Sequence, residues 1–254
     1  MRILYAFLAA LIGVLLGGPL GRAAYALPRG EYREILFPRC VSCGNRLSRK
    51  CSIPLVGGFL TRFRCEHCGE KTRGISTLLS EVLFGGSCVL LFLVYSFRYS
   101  FFLYAVVAGV LLLLSLMDLD IREVSHPLLA VLILLGVMRM VFSFFPSFAT
   151  GTVWWEHLVG AFVISLPLFL LMIFTGGIGG GDVKLMFCLG LLLGYKLTLV
   201  AFLFGIVIAA FWAVVLHFAA GKGGKYQLPL VPFLSLGAII SILFGGQILQ
   251  VFFA

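Results

Sequence analysis

Two acidic clusters stand at the ends of apolar segments in a chain that has only ten Asp and Glu residues. The first is Asp118-Leu119-Asp120, and the second is Asp182, which closes the run Gly176-Gly177-Ile178-Gly179-Gly180-Gly181. Two carboxylates brought together from separate helices can share one proton, because like charges at close range do not both ionise. One then acts as an acid and the other as a base on a water molecule, which is the chemistry of aspartic peptidases. The alternative for Asp182 is a solvated carboxylate in an interhelical loop.

The helix ends predict which carboxylate is charged. Asp182 would lie at the start of its helix, where the dipole favours a negative charge, and Asp118 at the end of another. We therefore expect Asp182 to be ionised and Asp118 to hold the proton. The glycine run does not fit a nucleotide loop, which needs Gly-Lys-Ser/Thr and a preceding strand. Lys184 either orients the carboxylate or the substrate, or extends to the membrane edge as an ordinary lysine.

Four cysteines form two matched pairs. Cys40 and Cys43 make one Cys-x2-Cys motif, Cys65 and Cys68 make the other, and 21 residues separate the pairs. A glycine follows each pair, which suits the tight turn that directs two sulfurs at one ion. This spacing predicts a closed structural zinc site, and the alternative is a set of unrelated free thiols. Metal binding would stabilise a loop that has too few large apolar residues for a core of its own.

The composition is that of a membrane protein. Hydrophobic residues make up 61% of the 254 residues and charged residues only 11%, against about 25% in soluble domains. The mean hydropathy is +1.13. We predict an all-α polytopic fold with about eight transmembrane helices, at residues 3–21, 75–95, 101–117, 127–144, 153–174, 183–194, 197–219 and 228–253. Seven is the alternative, because 183–194 is short for a span of about 20 residues.

The basic residues predict the orientation. Eleven of the 19 Lys and Arg residues lie between residues 22 and 73, and positive residues favour the cytoplasmic side. This bias explains the net charge of +9 without a nucleic-acid partner. Alternation then places 118–126, the glycine run and the 221–225 turn on the cytoplasmic face, with Glu156 solvated outside. We predict three parts: an uncleaved first helix (1–26), a cytoplasmic zinc-binding loop (27–74) and a membrane core (75–254).

At these motifs the chain resembles the type IV prepilin peptidase family, membrane aspartic peptidases of the Gly-x-Gly-Asp type. Residues 17–21 and 25–30 resemble the exit of the family's first helix, and residues 38–81 resemble its cytoplasmic zinc-binding insertion. The stretch Gly179-Gly180-Gly181-Asp182-Val183-Lys184 matches its second active-site motif. Gly179 and Gly181 would give an extended substrate room to lie beside Asp182.

The first active-site motif allows two registers. The family pattern is an Asp, six residues, a Pro and then Asn or Asp, often with Arg-Glu-Ile before the Pro. Starting from Asp118, the Arg-Glu-Val triplet falls into register, but Ser125 and His126 replace the Pro and the final polar residue. Starting from Asp120 places Pro127 correctly and loses that triplet. We prefer Asp118 for the catalytic pair with Asp182 and keep Asp120 as the alternative.

The resemblance implies cleavage of the leader peptide of prepilins or pseudopilins at the cytoplasmic face of the bacterial inner membrane. Many members also N-methylate the new N-terminus with S-adenosylmethionine, and the four cysteines favour that second activity here. Glu81 is a candidate for supporting it, or else a carboxylate favoured by the start of its helix. The expected partners are prepilins or pseudopilins and membrane lipid.

Two other classes of protein remain open. A transporter or channel with a zinc-bearing cytoplasmic loop would also contain membrane carboxylates and broken glycine-rich helices. Its site, however, would lie near the middle of the bilayer, whereas both acidic motifs here are expected at one face. A secretion-machine scaffold without catalysis would not need paired carboxylates.

Overall fold

The computed structural model describes residues 2–48, 53–72, 74–144, 153–177, 179–220 and 228–253. Ile178 of the glycine run and the predicted 221–225 turn lie outside these residues. Regular structure in the described ranges is helical apart from two isolated β-bridges. The helices are α1 (Arg2–Arg29), α2 (Arg33–Leu36), α3 (Gly57–Leu60), α4 (Gly74–Tyr95), α5 (Tyr99–Ile121), α6 (His126–Phe142), α7 (Trp154–Val163), α8 (Ser165–Thr175), α9 (Gly180–Leu193), α10 (Tyr195–Ala220) and α11 (Val231–Phe253).

The prediction of an all-α membrane fold is confirmed. Within the described residues, six helical segments are long and apolar enough to cross a membrane: α1, α4, α5, α7 together with α8, α10 and α11. α6 is apolar but has 17 residues, and α9 has 14. Each of the eight predicted segments contains a helix, but α6 is at the lower limit of length for a span and α9 falls short of it. The predicted segment 153–174 is interrupted at Ile164, which lies between the end of α7 and the start of α8.

Two compact units make up the chain, Met1–Asp120 and Ile121–Ala254. In the first unit α1 packs closely against α4, because glycines replace side chains along the contact. A Cβ on Gly13 would lie 2.9 Å from the Cα of Gly85, and one on Gly17 would lie 2.6 Å from the Cα of Glu81. Small residues allow helix backbones to approach this closely in membranes. The contact fixes the position of Glu81 on α4.

The second unit is built around α9. This short helix packs against α6, α7, α8, α10 and α11, and its leucines at 185, 189 and 192 are fully buried. Gly190 of α9 meets Gly160 of α7 backbone to backbone. A helix too short to span a bilayer alone is thus surrounded by other helices of the unit, and its first turn holds Asp182.

The expectation that Glu156 is solvated is wrong. Only 8% of Glu156 is exposed, and its Oε1 lies 3.2 Å from the Nζ of Lys196 on α10. The neighbouring His157 is fully buried, and its Nδ1 lies 2.9 Å from the carbonyl oxygen of Leu191. Glu156 and His157 lie in the first turn of α7, which begins at Trp154. Glu156 connects this turn to α10, and His157 connects it to α9.

Candidate active site and metal centre

Asp182 lies in the first turn of α9 and is buried. Gly176 ends α8 with a φ of 63°, a conformation that favours glycine, and its N–H donates to the carbonyl of Met172 at 2.9 Å. Gly179 then caps α9, and the N–H of Asp182 donates to the carbonyl of Gly179 at 3.1 Å. Only 9% of Asp182 is exposed. The start of a helix favours a negative charge at this position.

The glycines before Asp182 make room for specific neighbours. A Cβ on Gly179 would lie 3.1 Å from Oδ2 of Asp182, so a side chain there would press on the carboxylate. A Cβ on Gly181 would overlap Cγ2 of Val124, which belongs to the segment between α5 and α6. Lys184, one turn into α9, is exposed. Gly181 therefore lets this connecting segment pack against the first turn of α9.

The two aspartates of the first cluster have different surroundings. Both lie in the last turn of α5 in the first unit, but Asp118 is 7% exposed whereas Asp120 lies at the surface. Oδ2 of Asp120 accepts a hydrogen bond from Nη1 of Arg29 at 3.0 Å. The guanidinium of Arg29 also stacks 3.6 Å above the ring of Tyr25. Asp120 is thus part of a surface ion pair, and Asp118 is the buried carboxylate.

The four predicted cysteines come together. Their sulfurs all lie within 4.8 Å of one another, with 3.6 Å between Cys40 and Cys68 and 3.9 Å between Cys43 and Cys65. All four are free thiols. Four sulfurs around a tetrahedral zinc, each at about 2.3 Å, would be separated by about 3.8 Å. The cluster can therefore hold one metal ion.

The two cysteine motifs have the same backbone geometry. Cys40 accepts from the N–H of Gly44 and donates to Asn45, while Cys65 accepts from Gly69 and donates to Glu70, each at 2.9 Å. Both glycines have positive φ, 69° and 72°. A glycine is needed at each turn because other residues adopt this conformation at a cost. The prediction that glycine shapes the two turns is confirmed.

The cluster stabilises one thiolate more than another. The backbone N–H of Cys43 and then that of Ser42 lower the pKa of Cys40 to about 7, against the opposing effect of burial. At Cys68 the backbone N–H of Glu70 lowers the pKa, but local desolvation of the sulfur and the three other thiols raise it to about 12. A cation in the centre would favour all four thiolates, because thiolate is the form that binds metal.

Glu81 is held in a defined position on α4. It is 6% exposed, and its Oε2 accepts a hydrogen bond from the backbone N–H of Leu55 at 2.6 Å. A Cβ on Gly18 would lie 2.7 Å from its Oε1. Next to it, the hydroxyl of Ser80 donates to the carbonyl of Gly17 at 2.9 Å. The sequence identified Glu81 as a candidate but did not show that Gly18 makes room for its carboxylate. The adjacent glycines Gly17 and Gly18 were the signal that could have indicated it.

The comparisons with known proteins cover most of the chain. The family described as the type IV leader peptidase family matches residues 105–214, and the bacterial peptidase A24 N-terminal domain matches residues 11–95. A prepilin leader peptidase/N-methyltransferase of Bacillus subtilis is 26% identical over 252 residues, which are 94% of this chain and 94% of that protein. No solved structure matches the chain.

Other relatives carry the same name. The protein of Pseudomonas putida is 26% identical over 272 residues, with 95% of this chain and 91% of the relative covered. That of Stutzerimonas stutzeri is 27% identical over 238 residues, covering 88% and 78%. The two matched regions contain the features described above: 11–95 includes the four cysteines and Glu81, and 105–214 includes Asp118 and Asp182. The chain therefore belongs to the type IV leader peptidase family.

Proposed function

We propose that this protein is a membrane aspartic endopeptidase that removes the leader peptide of type IV prepilins or pseudopilins and then N-methylates the new N-terminus. The observation that carries the proposal is that each of the two family motifs supplies a buried aspartate at a helix end, Asp118 on α5 and Asp182 on α9. Relatives named for both activities align with nearly the whole chain, which supports the second activity as well as the first.

In the proposed peptidase reaction Asp118 and Asp182 share one proton. The ionised carboxylate accepts a proton from water as the water oxygen attacks the scissile carbonyl, and the protonated carboxyl gives its proton to the carbonyl oxygen. Collapse of the tetrahedral intermediate breaks the C–N bond, and a proton goes to the leaving amine. The position of Asp182 in the first turn of α9 supports its assignment as the ionised member.

A contact within the second unit supports the assignment of the motif at Asp182. Val124, from the Arg-Glu-Val triplet, packs against Gly181, the residue before Asp182. Gly179 leaves space beside the carboxylate of Asp182, which supports a role in admitting substrate. Lys184 is proposed to contact the leader or to orient this site.

Asp118 is the better candidate for the first member of the pair. A shared proton requires a site from which bulk water is excluded, and Asp118 is buried. Asp120 is already committed to an ion pair with Arg29. The register of the Arg-Glu-Val triplet supports the same choice.

The cysteine cluster is proposed to bind a structural Zn²⁺ through Cys40, Cys43, Cys65 and Cys68. Four thiolates with no further ligand form a closed site, which suits a structural and not a catalytic ion. We place this loop (27–74) and the peptidase site on the cytoplasmic side of the bacterial inner membrane, with residues 1–26 as the first membrane helix and 75–254 as the core. The density of Lys and Arg in the loop supports this orientation.

For the second activity S-adenosylmethionine supplies a methyl group: its C–S bond breaks as a C–N bond forms to the substrate amine, S-adenosylhomocysteine leaves, and the amine loses one proton. Glu81 is proposed to support this step from its fixed position on α4. The proposed substrates are prepilins or pseudopilins, with membrane lipid around the helices.

The test uses the full-length protein in detergent with a prepilin substrate, and follows cleavage and the mass of the mature product. Asp118→Asn and Asp182→Asn should each lower the cleavage rate by about 10²–10⁴-fold, the usual effect of losing a proton-transfer group. Glu31→Gln, which neutralises an exposed carboxylate outside both aspartate motifs, is the control. Cleavage that survives both Asn variants would reject Asp118 and Asp182 as the catalytic pair, and an uncleaved substrate with the wild type would favour the transporter or scaffold.

A further inference from the structure

We propose that a cavity within the first unit binds the methyl donor S-adenosylmethionine, an inference that rests on the methyltransferase activity proposed above. The cavity has a volume of about 340 Å³, within the range of about 300–1,000 Å³ for small-molecule sites. Its walls come from α1, α4, α5 and the loop that carries the four cysteines (residues 27–74, here called the cysteine loop). They include Arg22, Tyr25, Leu55, Glu81 and Leu116.

The charges of the cavity complement those of the donor. Its described lining contains two arginines and three carboxylates: Arg22, Arg39, Glu34, Glu81 and Asp120. S-adenosylmethionine has a sulfonium, an ammonium and a carboxylate, so it carries one net positive charge. Because Asp120 is paired with Arg29, two arginines and two carboxylates remain, so the site offers both signs to the ligand's carboxylate and to its two cationic groups, and such complementarity favours specific binding.

Two polar groups are positioned for individual contacts. Among the hydrogen bonds of the described residues, the buried Nε of Arg22 has no partner, and a buried donor of this kind normally has one. The donor's carboxylate would supply the missing acceptor. Glu81 is held by the N–H of Leu55 and lies against Gly18, so its carboxylate is fixed before the ligand arrives. It would face the cationic sulfonium or ammonium.

The remaining wall is apolar and suits the adenine ring. Leu116 and Leu119 of α5 and Leu79 of α4 line the cavity together with Tyr25. Small-molecule sites combine such an apolar surface with a few placed polar groups. The cavity therefore offers separate surfaces to the ring and to the charged end of the donor.

The metal centre forms part of the same cavity. Cys40, Val41 and Leu47 line it, and Leu55, which holds Glu81, lies on the same loop. Ordering of this loop by zinc would therefore complete one wall of the site. The proposal predicts that donor binding depends on the metal even though the metal takes no part in methyl transfer.

Isothermal titration calorimetry tests the site by measuring how tightly S-adenosylmethionine binds to the full-length protein in detergent. Glu81→Gln should weaken binding about 10-fold to 100-fold, the effect expected for losing a hydrogen bond to a charged group. Leu116→Trp should weaken it similarly by filling the cavity. Glu31→Gln makes the same chemical change at an exposed position of the same unit, outside the cavity lining, and should leave the affinity unchanged.

Hydrogen exchange of the wild-type protein gives a second readout that does not depend on the variants folding. Addition of the donor should slow exchange at residues 53–57 and 76–81, and chelation of zinc should abolish that protection. Donor binding with wild-type affinity in both cavity variants, or protection confined to other segments, would place the donor elsewhere while leaving the methyltransferase intact. A wild-type protein that neither binds the donor nor methylates its product would overturn the second activity itself.

Discussion

The contact between Gly181 and Val124 makes a prediction whose size follows from the structure. A Cβ at position 181 would lie 3.1 Å from Cβ of Val124 and would overlap its Cγ2. Overpacking of this kind costs about 1–3 kcal/mol, and alanine in place of glycine in a helix returns up to about 1 kcal/mol. Gly181→Ala should therefore destabilise the protein by about 0–3 kcal/mol.

Removing the opposing methyl groups should reverse the effect. In a Val124→Ala background the overlap with Cγ2 disappears and only the 3.1 Å contact between the two Cβ atoms remains, so Gly181→Ala should become close to neutral. The coupling energy between the two positions is then about 1–3 kcal/mol, within the range measured for residues in contact. Gly180→Ala is the control, because a Cβ there meets only Sδ of Met172 at 3.7 Å.

Thermal unfolding in detergent measures the stability of each variant. The rate of leader cleavage shows whether the active site is disturbed together with the stability. We expect Gly181→Ala to lower both the melting temperature and the cleavage rate in the wild-type background, and to change neither by as much in the Val124→Ala background. If Gly181→Ala costs as much in the Val124→Ala background as in the wild type, the segment between α5 and α6 does not pack on α9 as described. A destabilising Gly180→Ala would show that glycine is needed here for its backbone and not for this contact.

Three further predictions follow. Asp120→Asn should change the cleavage rate by less than about fivefold, because a surface ion pair contributes only about 0.2–1 kcal/mol; a loss as large as that of Asp118→Asn would move the catalytic role to Asp120. Cys43→Ser should lower the zinc content measured by mass spectrometry and the melting temperature, whereas Cys88→Ser, within α4, should keep the full zinc content; equal metal in both variants would exclude the four-thiolate site. Lys196→Met should lower the melting temperature by leaving Glu156 buried without its ion-pair partner, and the exposed Lys184→Met should not; no difference between them would show that the pair does not stabilise the fold.

Some features of this protein are local in sequence, and the sequence was enough to predict them. The membrane class follows from apolar runs whose length and composition are visible residue by residue. The four-cysteine cluster was predictable because each Cys-x2-Cys-Gly motif folds as one turn, which fixes two sulfurs regardless of the rest of the chain. The helix ends at Asp118 and Asp182 were likewise indicated by adjacent breaks in the apolar pattern. That these two carboxylates form one site remains a prediction.

Other features depend on which helix faces which, and the tertiary structure alone decided them. Asp118 and Asp120 differ by about 200° around α5, so only the packing of that helix determines which is buried. Glu156 follows a stretch of sequence typical of a loop, which favoured a solvated carboxylate, yet the helix places it beside Lys196. Glu81 on α4 contacts Gly18 of α1 and Leu55 of the cysteine loop, and each of these lies more than twenty positions away in the sequence. Hydropathy records how apolar a segment is, but contacts between distant segments exist only once the helices have packed.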